Sequence, residues 1–113
     1  MPAGIQKRTF GPIALTNTYT TNVYNNTSAL IYDVIKHIHV ANKTAGAVSF
    51  RLFLGATGGN VAGTELFYDV SVGAFSVYDW YGNLRMNSTD FLVGGASATT
   101  SLTIEGEGEQ FVV

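Results

Sequence analysis

The sequence predicts an all-β protein, a single antiparallel β-sandwich of about eight short strands ordered as a jelly roll or a related Greek key. Three observations lead there. Apolar and polar residues alternate at period two along most of the chain, while the recurrence of an amphipathic helix is nearly absent. The alternating runs are rich in Val, Ile, Thr, Phe and Tyr, the residues that fit a pleated, half-buried surface. Gly and Asn clusters interrupt these runs roughly every ten residues, the rhythm of a sandwich or barrel. An immunoglobulin-like order is the alternative, but the chain has no Cys and so lacks the framework that marks it.

The strands are expected as follows. Residues 1–10 read as an irregular N-terminal arm, and 11–113 as the sandwich domain. Residues 13–15 form a short strand, and 18–24 a Thr/Tyr-rich extended run ended by Asn25-Asn26. Residues 29–41 are the longest candidate, with Ile38 and Val40 on one face and His37, His39 and Ala41 on the other. Upstream the phase would carry Lys36 inward, so either a β-bulge near Asp33 to Lys36 or a strand that leaves the core there is expected. The loop 42–46 and the alternating run 47–54 complete what reads as a hairpin, with Gly46 placed for a bulged turn. Residues 55–63 form a glycine-rich loop, and strands follow at 64–72 and 74–81, turned at Gly73. Gly82-Asn83 reads as a break before 84–86, and 87–90 as a turn. Residues 91–93 form a short strand, 94–98 a small-residue loop, and 99–106 the last strand, followed by an apolar tail at 111–113.

Composition bounds the function. The 113 residues suit one domain, large enough to hold together without staples. With no Cys, disulfides and thiolate metal sites are excluded. A formal charge of −2 gives no electrostatic footprint for nucleic acid. No apolar run approaches the length of a membrane span, and residues 1–10 lack the apolar stretch of a signal peptide. A soluble protein made in the cytoplasm is therefore expected. Charged residues are only 12% of the chain, about half the usual share, with Thr, Ser and Asn supplying the polarity. Such a surface is cheap to desolvate and suits a domain packed against neighbours.

No constellation reads as an active site, so the expectation is a protein that is not an enzyme and needs no cofactor. His37 and His39 share a strand face and form the first half of a metal site, as in the His-x-His of cupins. No carboxylate follows in 40–46 and no third His exists, so no metal site is assigned. Asp33 shares their face only if the register holds over six residues. Neither His neighbours a nucleophile motif, no spacing singles out two of the eight acids, and 55–59 lacks the Lys-Ser/Thr of a phosphate cradle. The acidic run Glu105-Gly106-Glu107-Gly108-Glu109 reads as solvated, as a weak calcium ligand or as a contact for a basic partner. The four Asn-x-Ser/Thr triplets, at Asn25, Asn26, Asn42 and Asn87, read as turn formers. Candidate partner-binding residues are Lys7, Arg8 and Phe10 on the arm, and Trp80 and Tyr81 beside Asp79. At least one of Tyr78 and Trp80 is expected in the core.

The stretch 34–54, VIKHIHVANKTAGAVSFRLFL, resembles a β-hairpin of small virion proteins of tailed bacteriophages, with its "VAN" strand end, Thr/Gly turn and "V-x-F-x-L-x-L" return. Residues 90–93, DFLV, and 101–107, SLTIEGE, are similar to the closing half of the same proteins. The resemblance implies a virion structural protein made in the host cytoplasm. It does not say which part of the particle; together with the low charge and the sandwich pattern, the preferred expectation is a capsid decoration protein that binds the major capsid protein on the outer shell, with the chain assembled as a homotrimer. A tail or fibre module that binds a host glycan through residues 79–82 is the alternative. Few charges protect the edge strands, which fits their use in a symmetric oligomer.

Overall fold

The computed structural model describes residues 5–26 and 28–112, with side chains from Thr9 onward. Eight strands run in the order β1 (Ile5–Ala14), β2 (Thr21–Asn25), β3 (Ile31–Asn42), β4 (Val48–Gly55), β5 (Glu65–Val72), β6 (Val77–Met86), β7 (Phe91–Ala96) and β8 (Leu102–Val112). They form two four-stranded antiparallel sheets, β1-β8-β3-β6 and β2-β7-β4-β5. This strand order is that of a jelly roll, in which most connections cross from one sheet to the other. The expected fold class is therefore the observed one, and among the described residues no helix is long and apolar enough to cross a membrane.

The inward residues of both sheets meet in one core. Ile35, Ile38 and Val40 of β3, Phe50 and Leu52 of β4, and Leu92, Leu102 and Ile104 are fully buried. The phase conflict foreseen in β3 is resolved where it was expected. A register shift between Ile35 and His37 appears against both neighbours, β6 and β8, and leaves Lys36 without a partner. The extra residue turns Asp33 and Ile35 inward with Ile38 and Val40, and sets His37 and His39 on the outer face.

Several expectations fail for identifiable reasons. The expected hairpin of runs 29–41 and 47–54 is not a hairpin, because β3 and β4 belong to different sheets. A short polar turn between two alternating strands serves equally as a corner between stacked sheets. What fixes the corner is Asn42, almost fully buried. Its Nδ2 donates to the carbonyls of Gly46, Val72 and Gly73, and its Oδ1 accepts from the backbone N–H and hydroxyl of Thr44. Gly46 does not adopt the left-handed conformation expected of a bulged turn. Asn42→Ala is expected to cost about 1–3 kcal/mol through the orphaned carbonyls. Urea unfolding measures this, and a loss below about 0.5 kcal/mol would remove Asn42 from the account.

The arm is also different. β1 begins at Ile5 and runs through the expected boundary at residue 10, pairing with β8 of the same chain. Its alternation is broken by two register shifts against β8, between Arg8 and Phe10 and between Phe10 and Ile13; residues 1–4 lie outside the described residues. The breaks expected at 82–83 and 94–98 were read from glycines that mark tight packing instead. A Cβ on Gly82 would come within 2.9 Å of the Trp80 ring, and one on Gly94 within 2.8 Å of the Arg51 carbonyl. Both glycines lie inside strands, so β6 is continuous to Met86 and β7 extends to Ala96.

Candidate functional site

The outer face of the β1-β8-β3-β6 sheet carries the densest group of titratable side chains. Strand register brings them together in two rows across three strands. Glu107, His37 and Tyr81 stand side by side in one row, and Glu105, His39 and Asp79 in the next. Each row has its His on β3, a central strand, flanked by β8 and β6. The alternation of Glu and Gly over residues 105–109 makes this possible: the glycines pack inward where no side chain fits, and Glu105 and Glu107 take the outward positions. The acidic run is thus part of a sheet rather than a solvated end.

The two rows are joined through hydrogen bonds. His37 Nε2 lies 2.6 Å from Asp79 Oδ1, and its Nδ1 lies 2.8 Å from Glu107 Oε1. His39 Nδ1 reaches the same Asp79 oxygen at 2.7 Å. Tyr81 stacks on the His37 ring, with centroids 4.5 Å apart and planes 3° from parallel. With a carboxylate at each nitrogen, the His37 ring is satisfied as an imidazolium that donates twice. Burial opposes that charge, but the hydrogen bonds and charges of Asp79 and Glu107 outweigh it and hold His37 above its ordinary value of 6.5. Asp79 is held below the usual carboxylate value, chiefly by the hydrogen bonds from His39 and His37.

A second feature lies on the side of the sandwich where β5 and β6 meet. Both are edge strands, each paired with a single neighbour among the described residues. They close over the core through an edge-to-face contact between Phe67 and Trp80, 5.7 Å apart. Beyond that contact, Leu66, Tyr68, Phe75 and Val77 stand exposed on β5, its turn and β6, with Phe75 at 73%. The opposite side, where β1 and β2 meet, is closed by Phe10 stacked on Tyr24.

The partner-binding candidates therefore separate. Phe10 is a core residue, 6% exposed, and is not available to a partner; the strand that carries it alternates inward at that position. Lys7 and Arg8 have their backbones paired opposite Gly108 and Glu107, and their side chains lie outside the described residues. Trp80 faces inward against Phe67, whereas Tyr81 is exposed on the opposite face, so the two do not form one stacking platform. Tyr78 also packs against the core, edge-on to Phe50. Asp33 points into the core, away from the histidines. The residues missed as partners of the histidines are Asp79 and Glu107. Only cross-strand register reveals them, since they lie 40 and 70 residues away along the chain from the His that each contacts.

No protein-family model matches the chain, and no curated protein matches it. Among solved structures, a chain of the infectious bursal disease virus Gx strain is similar over 94% of this chain and 30% of its own length. The identity is 7% and the TM-score 0.44. A chain of the Gt strain of the same virus is similar over 94% of this chain and 28% of its own, at 10% identity and a TM-score of 0.36. This chain spans less than a third of the length of either.

Proposed function

We propose that the chain is a non-enzymatic structural component of a virus particle, assembled as a homotrimer through the side where β5 and β6 meet. The observation that carries this reading is the coincidence of two strand edges unpaired among the described residues with exposed apolar side chains on β5, the β5–β6 turn and β6. Leu66, Tyr68, Phe75 and Val77 stand on the same short stretch of chain as the two free edges. A free edge invites another strand, and soluble monomers blunt such edges with charge. This side exposes Leu66, Tyr68, Phe75 and Val77 besides the charged Glu65 and Asp69 of β5, in a chain with only 12% charged residues. Burying it against a second copy would satisfy the edge and remove the apolar surface together.

The hairpin likeness of 34–54 falls away because β3 and β4 lie in different sheets, while the resemblance of residues 90–93 and 101–107 to small virion proteins of tailed bacteriophages motivates the finer reading. In it the trimer is a decoration protein seated on the major capsid protein at the outer surface of the head. The jelly-roll order suits that role, being a fold common among capsid domains. The host-glycan alternative loses its motivation, because Trp80 is turned inward.

Sedimentation equilibrium of the purified chain tests the assembly. The expected species has three times the 12.1 kDa chain mass. The double variant Phe75→Asp, Val77→Asp is expected to be monomeric with its melting temperature nearly unchanged, because both side chains are exposed in the single chain. A wild-type chain that stays monomeric at high concentration, or a double variant that still associates, contradicts the reading.

A further inference from the structure

The geometry points to a divalent transition-metal site on the outer face of the β1-β8-β3-β6 sheet, formed by His37 Nε2, His39 Nδ1 and Asp79 Oδ1. Two imidazoles and a carboxylate are the donor set that Zn²⁺ and its first-row neighbours take, with a further position left for water or a second ligand. The three ligand atoms already lie within 4.8 Å of one another. Ligands at about 2.0–2.1 Å from a tetrahedral ion stand about 3.3 Å apart. Asp79 Oδ1 is now 2.6 and 2.7 Å from the two ring nitrogens, so it must retreat by several tenths of an ångström to admit an ion. It is free to do so: it stands on an edge strand, partly exposed, and its only side-chain hydrogen bonds among the described residues are those to the two histidines.

Four further features distinguish this cluster from two solvated histidines. Glu107 holds His37 Nδ1 at 2.8 Å, which keeps the proton on that nitrogen and turns Nε2 toward Asp79. A carboxylate behind a ligating imidazole is the usual outer support of a zinc-bound His, and it raises the basicity of the ring. Tyr81 lies flat on the same ring and fixes its plane. The bulge between Ile35 and His37 sets both histidines outward on a central strand, so two of the three ligands rest on a rigid part of the sheet. Glu105, opposite His39 in the register with β8, adds negative charge beside the ion without being needed as a ligand.

The site is independent of the assembly proposed above, and its test uses the full chain without a histidine tag, stripped with a chelator and dialysed. Calorimetric titration with ZnCl₂ near neutral pH is expected to show saturable uptake of one ion per chain. Asp79→Asn and His39→Gln are expected to weaken uptake at least about tenfold, and Glu107→Gln about 10–100-fold, the range found for outer-shell partners. All three side chains are on the surface, so melting curves of the variants are expected to overlay the wild type. Should a variant fail to fold, the wild type alone decides. On addition of Co²⁺ as a paramagnetic probe, the ring-proton NMR signals of both His37 and His39 must shift together. Absence of one-to-one uptake, uptake unchanged in Asp79→Asn, or a Co²⁺ effect on fewer than both histidines overturns the site.

Discussion

Replacing Asp33 with alanine is expected to destabilise the protein by about 3–5 kcal/mol, one of the two largest effects of any single substitution considered. Asp33 is fully buried at the inner face of β3, and its carboxyl is the common acceptor of a small polar network. Tyr24 Oη donates to Oδ2 at 2.9 Å, Asn26 Nδ2 donates to the same oxygen at 3.1 Å, and Gln110 Nε2 donates to Oδ1 at 3.0 Å. Burial, and then the contact with Asp33, push the Tyr24 phenol well above its ordinary range, so its hydroxyl stays protonated and donates. Removing the acceptor orphans three donors at about 1–3 kcal/mol each. The sum is discounted because Tyr24 and Gln110 are only partly buried. Asp33→Asn is the graded control. Its amide oxygen can serve Tyr24 and Asn26, while Gln110 turns its own amide to meet the new N–H₂ group, so the cost falls to about 1–2 kcal/mol. Urea unfolding of the two variants measures both values. Equal losses would mean that the network does not act through its acceptor.

Gly108→Ala is expected to cost about 3 kcal/mol or more, at the upper end of what overpacking does. Gly108 faces inward on β8 directly beside β3. A Cβ there would collide with the carbonyl oxygen of Val34 and lie 2.9 Å from the Ile35 Cα. Both obstacles are backbone atoms of a central strand, so neither can swing aside as a side chain would. Gly46→Ala is the matched contrast, because nothing lies within 4 Å of its Cβ position and its backbone is not left-handed. That substitution is expected to stabilise by about 0.4–1 kcal/mol through the unfolded chain. Thermal or urea unfolding of the pair gives the comparison, and a Gly108→Ala variant as stable as Gly46→Ala would contradict the packing of β8 on β3.

These two positions also show where sequence reasoning reached and where it stopped. The alternation of β3 and the misfit of Lys36 located the irregularity within four residues, as a bulge or an exit from the core, and the structure has the bulge. From the same alternation, His37 and His39 were put on one face; at least one of Tyr78 and Trp80 was expected in the core, and both pack against it. What failed depended on distance along the chain. Whether the 42–46 segment is a hairpin loop or a corner depends on which sheet β4 joins, and its partners β5 and β7 come later in the chain. Glycine misled in a consistent way. Gly82 was read as a break and Gly94 as part of a loop, and Gly106 and Gly108 only as members of the acidic run. All four are instead places where a neighbouring backbone or ring leaves no room for a Cβ. The Asp79 and Glu107 partners of the histidines stayed hidden because two antiparallel registers, not any local motif, bring them to β3.

The most direct test of the central claim is an electron-microscopic density map of the particle that carries this protein, at a resolution that shows strands. The account predicts three copies around a threefold axis on the outer surface, with Phe75 and Val77 at the contacts between copies. It also predicts that the free edges of β5 and β6 are covered there. Absence of the chain from intact particles, or its presence as separate copies with the β5–β6 side open to solvent, would contradict the account.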